Sequence, residues 1–437
     1  MARKKIMFGV GAGMISLGVD GIAGLVIFGL LIRYLPAKSA GYWILITTTG
    51  TFLNLLQGGF ALIVPREIGQ TRIPENLPRL PQLLGAVRRA YAWVAMLLVL
   101  VAIAFYAFYL RGAAKIGNLG SESTVAWFLY AGGVLMYLQG QGRLFILDGF
   151  GEVGWEKVFR IFFTTFGLAA NWIALRAGAN LITLGIIYAV QNALFWLAAT
   201  RKLHIALPIT RVTAPPAHGQ LLRLAHDGGK ILILSLNNFA VNYFGVYVVQ
   251  NRFGLAAVAP FTAIVKVGFL LGSVAILLPQ MLYPYVATAW ASRDRDRLRR
   301  YYLLGVGGAV GVFVMLAIPV FLLREPLFTH WLGKGKFLGT ATLAAFLVYQ
   351  LIYVHQCAQA APVFASNGNA FIVPSIISAI LTPILVVILA RWFGFVGIPL
   401  GMIVGTLPSA FIVIRAAWRF IMQPKTCSGV PFDLALE

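Results

Sequence analysis

The chain has 437 residues, of which 60% are hydrophobic and only 11% charged, against roughly 25% charged in soluble domains. A soluble core does not keep growing to this length on so little polar surface, so lipid must take the place of water over much of the chain. The net charge of +22 does not point to nucleic acid, because the lysines and arginines sit in short connections between apolar runs.

Met1-Ala2-Arg3-Lys4-Lys5 opens like a signal peptide, but the apolar stretch behind it continues to Ile32, longer than a cleaved segment needs. A retained first helix is expected. Runs of the roughly 20 residues needed to cross a bilayer are then predicted near 8–32, 41–64, 90–110, 124–146, 158–176, 180–200, 230–250, 258–288, 301–323, 338–360, 370–392 and 395–418. The eighth is long enough to tilt, or to kink at Pro279 and Pro284. The expected fold class is all-α and polytopic: about twelve transmembrane helices in two six-helix lobes around a central cavity. The lobes are predicted at 1–200 and 230–420, joined by a cytoplasmic linker over 201–229 that holds Pro208, Pro215 and Pro216, with a tail over 421–437.

An even number of spans puts both termini on one side. Twenty-four of the 35 Lys and Arg residues fall on that side, including Arg72, Arg211 and Arg293, and ten on the other. The positive-inside bias therefore places both termini in the cytoplasm. A shift of 219 residues aligns Arg33-Tyr34 with Arg252-Phe253, Tyr42 with Phe261, and Asp148-Gly149 with Asn367-Gly368. Two distant matches at one offset point to a duplicated six-helix unit.

Ionisable groups inside lipid need a partner, a wet cavity or an escape to the interface. Asp20, near the middle of the first span with Ser16 one turn earlier, is either a packing carboxyl or a cavity carboxylate that couples to H+ or Na+. Lys266 lies two turns inside the eighth span and either snorkels or faces the cavity as a cation for an anionic ligand. Arg143, with Gln139 and Gln141, ends the fourth span, where headgroup anchoring and a cavity role weigh equally. Ser235, Asn238 and Asn242 form one polar stripe in the seventh span, and Gln350, Tyr353, His355, Gln356 and Gln359 crowd the tenth. The substrate-binding candidates are thus Lys266, Arg143, Asn238, Asn242 and Gln139, with Asp20 for ion coupling. No metal site, cofactor or catalytic group is expected: the two cysteines, Cys357 and Cys427, and His355 have no convergent ligands.

The run Arg33-Tyr-Leu-Pro-Ala-Lys-Ser-Ala-Gly41-Tyr42, followed by Leu53–Phe60 and Arg66, resembles the first helical hairpin of Wzx-type polysaccharide flippases. These belong to the multidrug/oligosaccharidyl-lipid/polysaccharide (MOP) exporter superfamily. Ala365-Ser-Asn-Gly368-Asn and Phe393-Gly394-Phe-Val-Gly397-Ile-Pro-Leu-Gly401 are similar to it as well. The resemblance covers essentially the whole chain. It implies a V-shaped pair of bundles in a bacterial inner membrane that flips lipid-linked oligosaccharide, a sugar repeat unit on polyprenyl pyrophosphate. The implied partners are that cargo, membrane lipids, H+ or Na+, and other polysaccharide assembly proteins. Two alternatives compete. A multidrug exporter of the same superfamily prefers acidic cavity residues, and here only Asp20 is clearly in a span. A membrane glycosyltransferase or polysaccharide ligase needs a reactive cluster on a sizeable extramembrane loop, and no loop of that kind is evident.

Overall fold

The computed structural model describes residues 2–71, 78–152, 154–207, 214–215, 219–292, 294–365 and 372–422, and every regular element in them is helical. Arg72, Arg211, Arg293, the Asn367-Gly368 pair and the tail beyond Met422 lie outside the described residues.

In chain order the helices are α1 (Ala2–Tyr34), α2 (Ala37–Leu55), α3 (Phe60–Thr71), α4 (Leu80–Phe105), α5 (Arg111–Ile116), α6 (Glu122–Gly149), α7 (Trp155–Arg176) and α8 (Leu181–Ala206). There follow α9 (Gln220–Asn242), α10 (Phe244–Phe253), α11 (Leu255–Ala291), α12 (Arg295–Leu322), α13 (Arg324–Leu332), α14 (Thr340–Ala365), α15 (Ile372–Phe393) and α16 (Gly397–Met422). Among the described residues, nine stretches are long and apolar enough to cross a bilayer, and the last, Ile372–Trp418, contains both α15 and α16. The chain is a multi-pass membrane protein. The expected spans at 41–64 and 124–146 are not among the nine. Thr47, Thr48, Thr49 and Thr51 dilute α2, and Gln139, Gln141 and Arg143 dilute α6.

Several expected boundaries shift for local reasons. The 41–64 span breaks at a turn through Gly58, whose positive φ of 57° suits a residue without Cβ. The 90–110 span starts ten residues earlier and ends in a π-helical turn, Tyr106–Leu110. The 230–250 span divides at Tyr243 into α9 and α10, whereas α11 runs as one helix through Pro279. Much of the expected linker is helical too, since α8 continues to Ala206 and α9 begins at Gln220. Between them Ala214 donates its N–H to the Pro81 carbonyl at 3.0 Å.

The chain separates into two compact units. One comprises Met1–Ser235 with Phe253–Ala259, the other Leu236–Arg252 with Pro260–Glu437. The first unit is built on close helix contacts. On α6, Gly133 and Gly140 admit the rings of Tyr188 and Phe195 from α8 at distances where a Cβ would clash. Leu144, Leu147, Phe163, Phe195, Ala199 and Leu203 form a core among α6, α7 and α8. In the second unit Gly401 and Gly405 bring α16 against the backbone of α15 in the same way. A further core there joins Val286, Ala289, Leu298, Tyr302 and Ala417 from α11, α12 and α16.

The duplication is visible in the element order. The end of α1 and the starts of α6, α7 and α8 recur at the end of α10 and the starts of α14, α15 and α16, 216 to 219 residues later.

Candidate functional site

Three polar groupings stand out inside the units, and each is assembled by helix periodicity. The first joins α1 to α7. On α7, Glu156, Arg160 and Thr164 follow at four-residue intervals and so share one face. Arg160 donates to Glu156, and Lys157 lies 2.5 Å from the other oxygen of the same carboxylate. Thr164 Oγ1 donates to Asp20 Oδ1 at 2.9 Å, Ser16 Oγ donates to Asp20 Oδ2 at 3.4 Å, and Arg160 Nη1 lies 3.7 Å from Asp20 Oδ2. Asp20 is therefore held by two hydroxyls and a guanidinium. Tyr137 of α6 is within electrostatic reach of Arg160, Glu156 and Asp20. From it a chain of amides leads away: Gln141 Nε2 donates to Tyr137 Oη at 2.6 Å, and Gln57 Nε2 donates to Gln141 Oε1 at 3.2 Å.

The second grouping is a cavity of about 340 Å³ between the beginning of α4 and the ends of α6 and α8. Arg88, Tyr91, Gln139, Arg143 and His204 line it, and no carboxylate is among its described lining residues. Arg143 Nη1 donates to the Gln139 carbonyl one turn earlier, and the guanidinium carbon sits 5.5 Å from the Trp196 ring centroid. Gln139 Nε2 donates to the Tyr91 carbonyl at 3.0 Å, which ties α6 to α4.

The third grouping belongs to the second unit. Asn238 and Asn242, one turn apart on α9, share a hydrogen bond. Tyr349 Oη donates to Asn242 Oδ1 at 2.6 Å, and Tyr353 Oη donates to Asn238 Oδ1 at 3.2 Å. The polar stripes of the seventh and tenth predicted spans thus meet. The other polar residues of α14 are spent on neighbours: Gln359 accepts from Tyr302 and contacts His355, while Gln356 donates to Ser409 at 3.2 Å. Lys266 lies on α11, two residues before Gly268, where the Phe346 ring of α14 packs closely.

The structure brings Gln139 to Arg143 and Asn238 to Asn242, and it gives Asp20 other partners, Ser16, Arg160 and Thr164. Arg143 and Lys266 fall in different units. Sequence reasoning counted Arg160 only as a topology marker and overlooked Glu156 and Thr164. Their four-residue spacing on α7 was the available signal. Among the described residues no group of three His, Cys, Asp or Glu side chains converges as for a metal ion.

No family model matches the sequence, and no curated protein matches it by sequence. Solved structures do match. An inward-facing multidrug resistance MATE family transporter of the MOP superfamily aligns at a TM-score of 0.76 with 13% identity, over 92% of this chain and 94% of that one. The lipid II flippase MurJ, in an inward closed conformation, aligns at 0.67 with 13% identity, over 94% and 87%. The chain has the MOP-superfamily fold. A MATE structure in the straight conformation also matches at 0.63, with 16% identity over 96% of each chain, so the flippase score falls inside the range spanned by MATE structures. Likeness within the MOP fold therefore does not select a cargo.

Proposed function

We propose that the chain is a transporter that flips lipid-linked oligosaccharide repeat units, carried on polyprenyl pyrophosphate, across a bacterial inner membrane for surface polysaccharide synthesis. In this reading the nine apolar stretches become twelve crossings. The last stretch supplies two, and α2 with α3, and α6, supply the remainder. Both termini lie in the cytoplasm, as the charge bias of the connections requires. The paired six-helix repeats alternate access by rocking.

The observation that carries the reading is the sign of the interior charge. Among the described residues of the apolar stretches, the carboxylates are Asp20, Glu156 and, in the first turn of α12, Asp296. Asp20 and Glu156 are matched by Arg160 and Lys157. A cationic drug thus meets no lone carboxylate there, whereas α11 carries Lys266 and no acidic residue at all. A pyrophosphate head suits such an interior, because burying its charge requires a cation. Asn238 and Asn242 offer amide groups of the kind that bind sugar hydroxyls. Coupling to H+ or Na+ runs through Asp20, whose separation from Arg160 requires another counter-charge. A multidrug exporter is the second reading, favoured by the TM-score of 0.76.

Deletion of the gene separates the two. The flippase reading expects loss of surface polysaccharide and accumulation of lipid-linked repeat units facing the cytoplasm, with drug susceptibility unchanged. A Lys266→Ala variant present at normal membrane level is expected to restore export poorly. Normal polysaccharide together with raised drug susceptibility would establish the exporter instead.

A further inference from the structure

The cavity between α4, α6 and α8 stands apart from the matched charges of α1 and α7, and its chemistry is one-sided. Arg88 and Arg143 act on each other as like charges, His204 lines the same space, and no described lining residue is acidic. A guanidinium has five N–H donors. For Arg143, one of them reaches Gln139, and no other acceptor is found among the described residues. Its aromatic neighbour, Trp196, stabilises the cation without using a donor. Two like charges held together around a cavity cost free energy unless an anion joins them.

Position narrows the anion. The first turns of α4 and the last turns of α6 and α8 lie at one end of the first unit. Arg89, Lys157, Arg201 and Lys202 are at the same end, the side that the charge bias assigns to the cytoplasm. Arg88 is exposed and Arg143 half-buried, so the cavity opens at headgroup depth. About 340 Å³ accommodates a phosphate-centred head, whereas several linked sugars exceed it. Basic pockets of this kind between transmembrane helices hold lipid phosphates.

We infer that this cavity is a binding site for the phosphate head of an anionic phospholipid of the cytoplasmic leaflet, separate from the cargo path. Arg88 and Arg143 supply the charge, the free Arg143 donors orient the phosphate oxygens, and the acyl chains remain in the bilayer. A lipid so placed bridges α4, α6 and α8.

The test uses the full-length protein in neutral detergent with dioleoyl phosphatidylglycerol or dioleoyl phosphatidylcholine, scored by native mass spectrometry for retained lipid. No transport is measured, so the result is independent of the cargo assignment. The wild type is expected to retain phosphatidylglycerol preferentially. R88Q/R143Q is expected to weaken that retention roughly 20- to 30-fold, since each surface-level cation contributes about fivefold. R299Q, which removes an exposed arginine of α12, is expected to leave it unchanged. Equal retention by R88Q/R143Q, or an equal loss in R299Q, would overturn the site. Retention of undecaprenyl pyrophosphate in place of phosphatidylglycerol would reassign the cavity to cargo and also overturn it. Should the double variant fail to fold, a headgroup-proximal photoreactive phosphatidylglycerol on the wild type decides. Crosslinks to 80–91, 139–146 or 196–204 support the site, and crosslinks confined to other segments refute it.

Discussion

Arg160→Gln is the most direct probe of the first unit, because one side chain serves both intramembrane carboxylates on α1 and α7. Its Nη1 lies 3.7 Å from Asp20 Oδ2. That separation corresponds to about 1 kcal/mol in water and about 4 kcal/mol at an effective dielectric of 20. The side chains are 35% and 33% exposed, so the lower part of that range applies, roughly 1–2 kcal/mol. Glu156 is more deeply buried but keeps Lys157 when Arg160 is lost, which limits the added cost to about 1 kcal/mol. R160Q is therefore expected to lose about 2–3 kcal/mol of unfolding free energy in a denaturant titration of the detergent-solubilised protein. D20N alone is expected to lose less, because Thr164 and Ser16 can still bond to the amide. The double variant isolates the pair: it should be about 1 kcal/mol more stable than the sum of the single losses predicts. A coupling below about 0.3 kcal/mol would show that Asp20 and Arg160 act independently and would refute the matched-charge assignment.

Three further outcomes follow from local geometry. Asn242→Leu removes the acceptor for Tyr349 and is expected to cost about 0.6–1.7 kcal/mol, as interhelical hydrogen bonds in membranes do; the same titration, with Tyr349→Phe as the paired change, checks it. Gly41→Ala would place a Cβ 1.8 Å from the Leu255 carbonyl oxygen, so α2 must move and a loss of about 1–3 kcal/mol is expected; an unchanged midpoint would contradict that contact. Asp148, in the last turn of α6 beyond its apolar part, has its carboxyl pushed up to about 6 by burial and then by the negative charge of Glu156. Because the folded-state value is raised, the folded protein holds the proton more tightly than the unfolded one, and stability falls as pH rises from about 4 through about 6. Asp148→Asn should flatten that decline and leave the protein about 1–2 kcal/mol more stable at about pH 7.5, after discounting for partial exposure; an unaltered pH profile would exclude Asp148 as its source.

The membrane class and most helices were legible because apolar length is a local property of the chain. The breaks were less so. Nothing periodic marks Tyr243 as the division between α9 and α10, and Gly58 is one of many glycines. The duplication could be read from Arg33-Tyr34 and Arg252-Phe253 because both pairs end a helix, where sequence and structure share the same constraint. The polar residues were legible as positions and not as roles. Asp20 could be seen in a span, but its partner lies about 140 residues away on another helix, and only the fold brings Arg160 to it. Likewise, the stripes of α9 and α14 were each visible, whereas the Tyr349–Asn242 and Tyr353–Asn238 bonds that join them were not.

This distinction also decides how the charge of the chain should be read. A net charge of +22 suggests a generally cationic interior, yet the cations are used unequally. Arg160 is spent on Glu156 and Asp20. Arg252 donates to the Ala390 and Arg391 carbonyls at the end of α15, and Arg324 donates to Thr340 and to the Phe321 carbonyl. Such arginines join helices, and their charge attracts little beyond the groups they already hold. Arg143 differs because its guanidinium has one backbone acceptor, an aromatic face and a like-charged neighbour around an open cavity. Anion binding should therefore follow the few cations arranged in that way, not the number of arginines. A surface arginine such as Arg299 can then be lost with little effect, while Arg88 and Arg143 cannot.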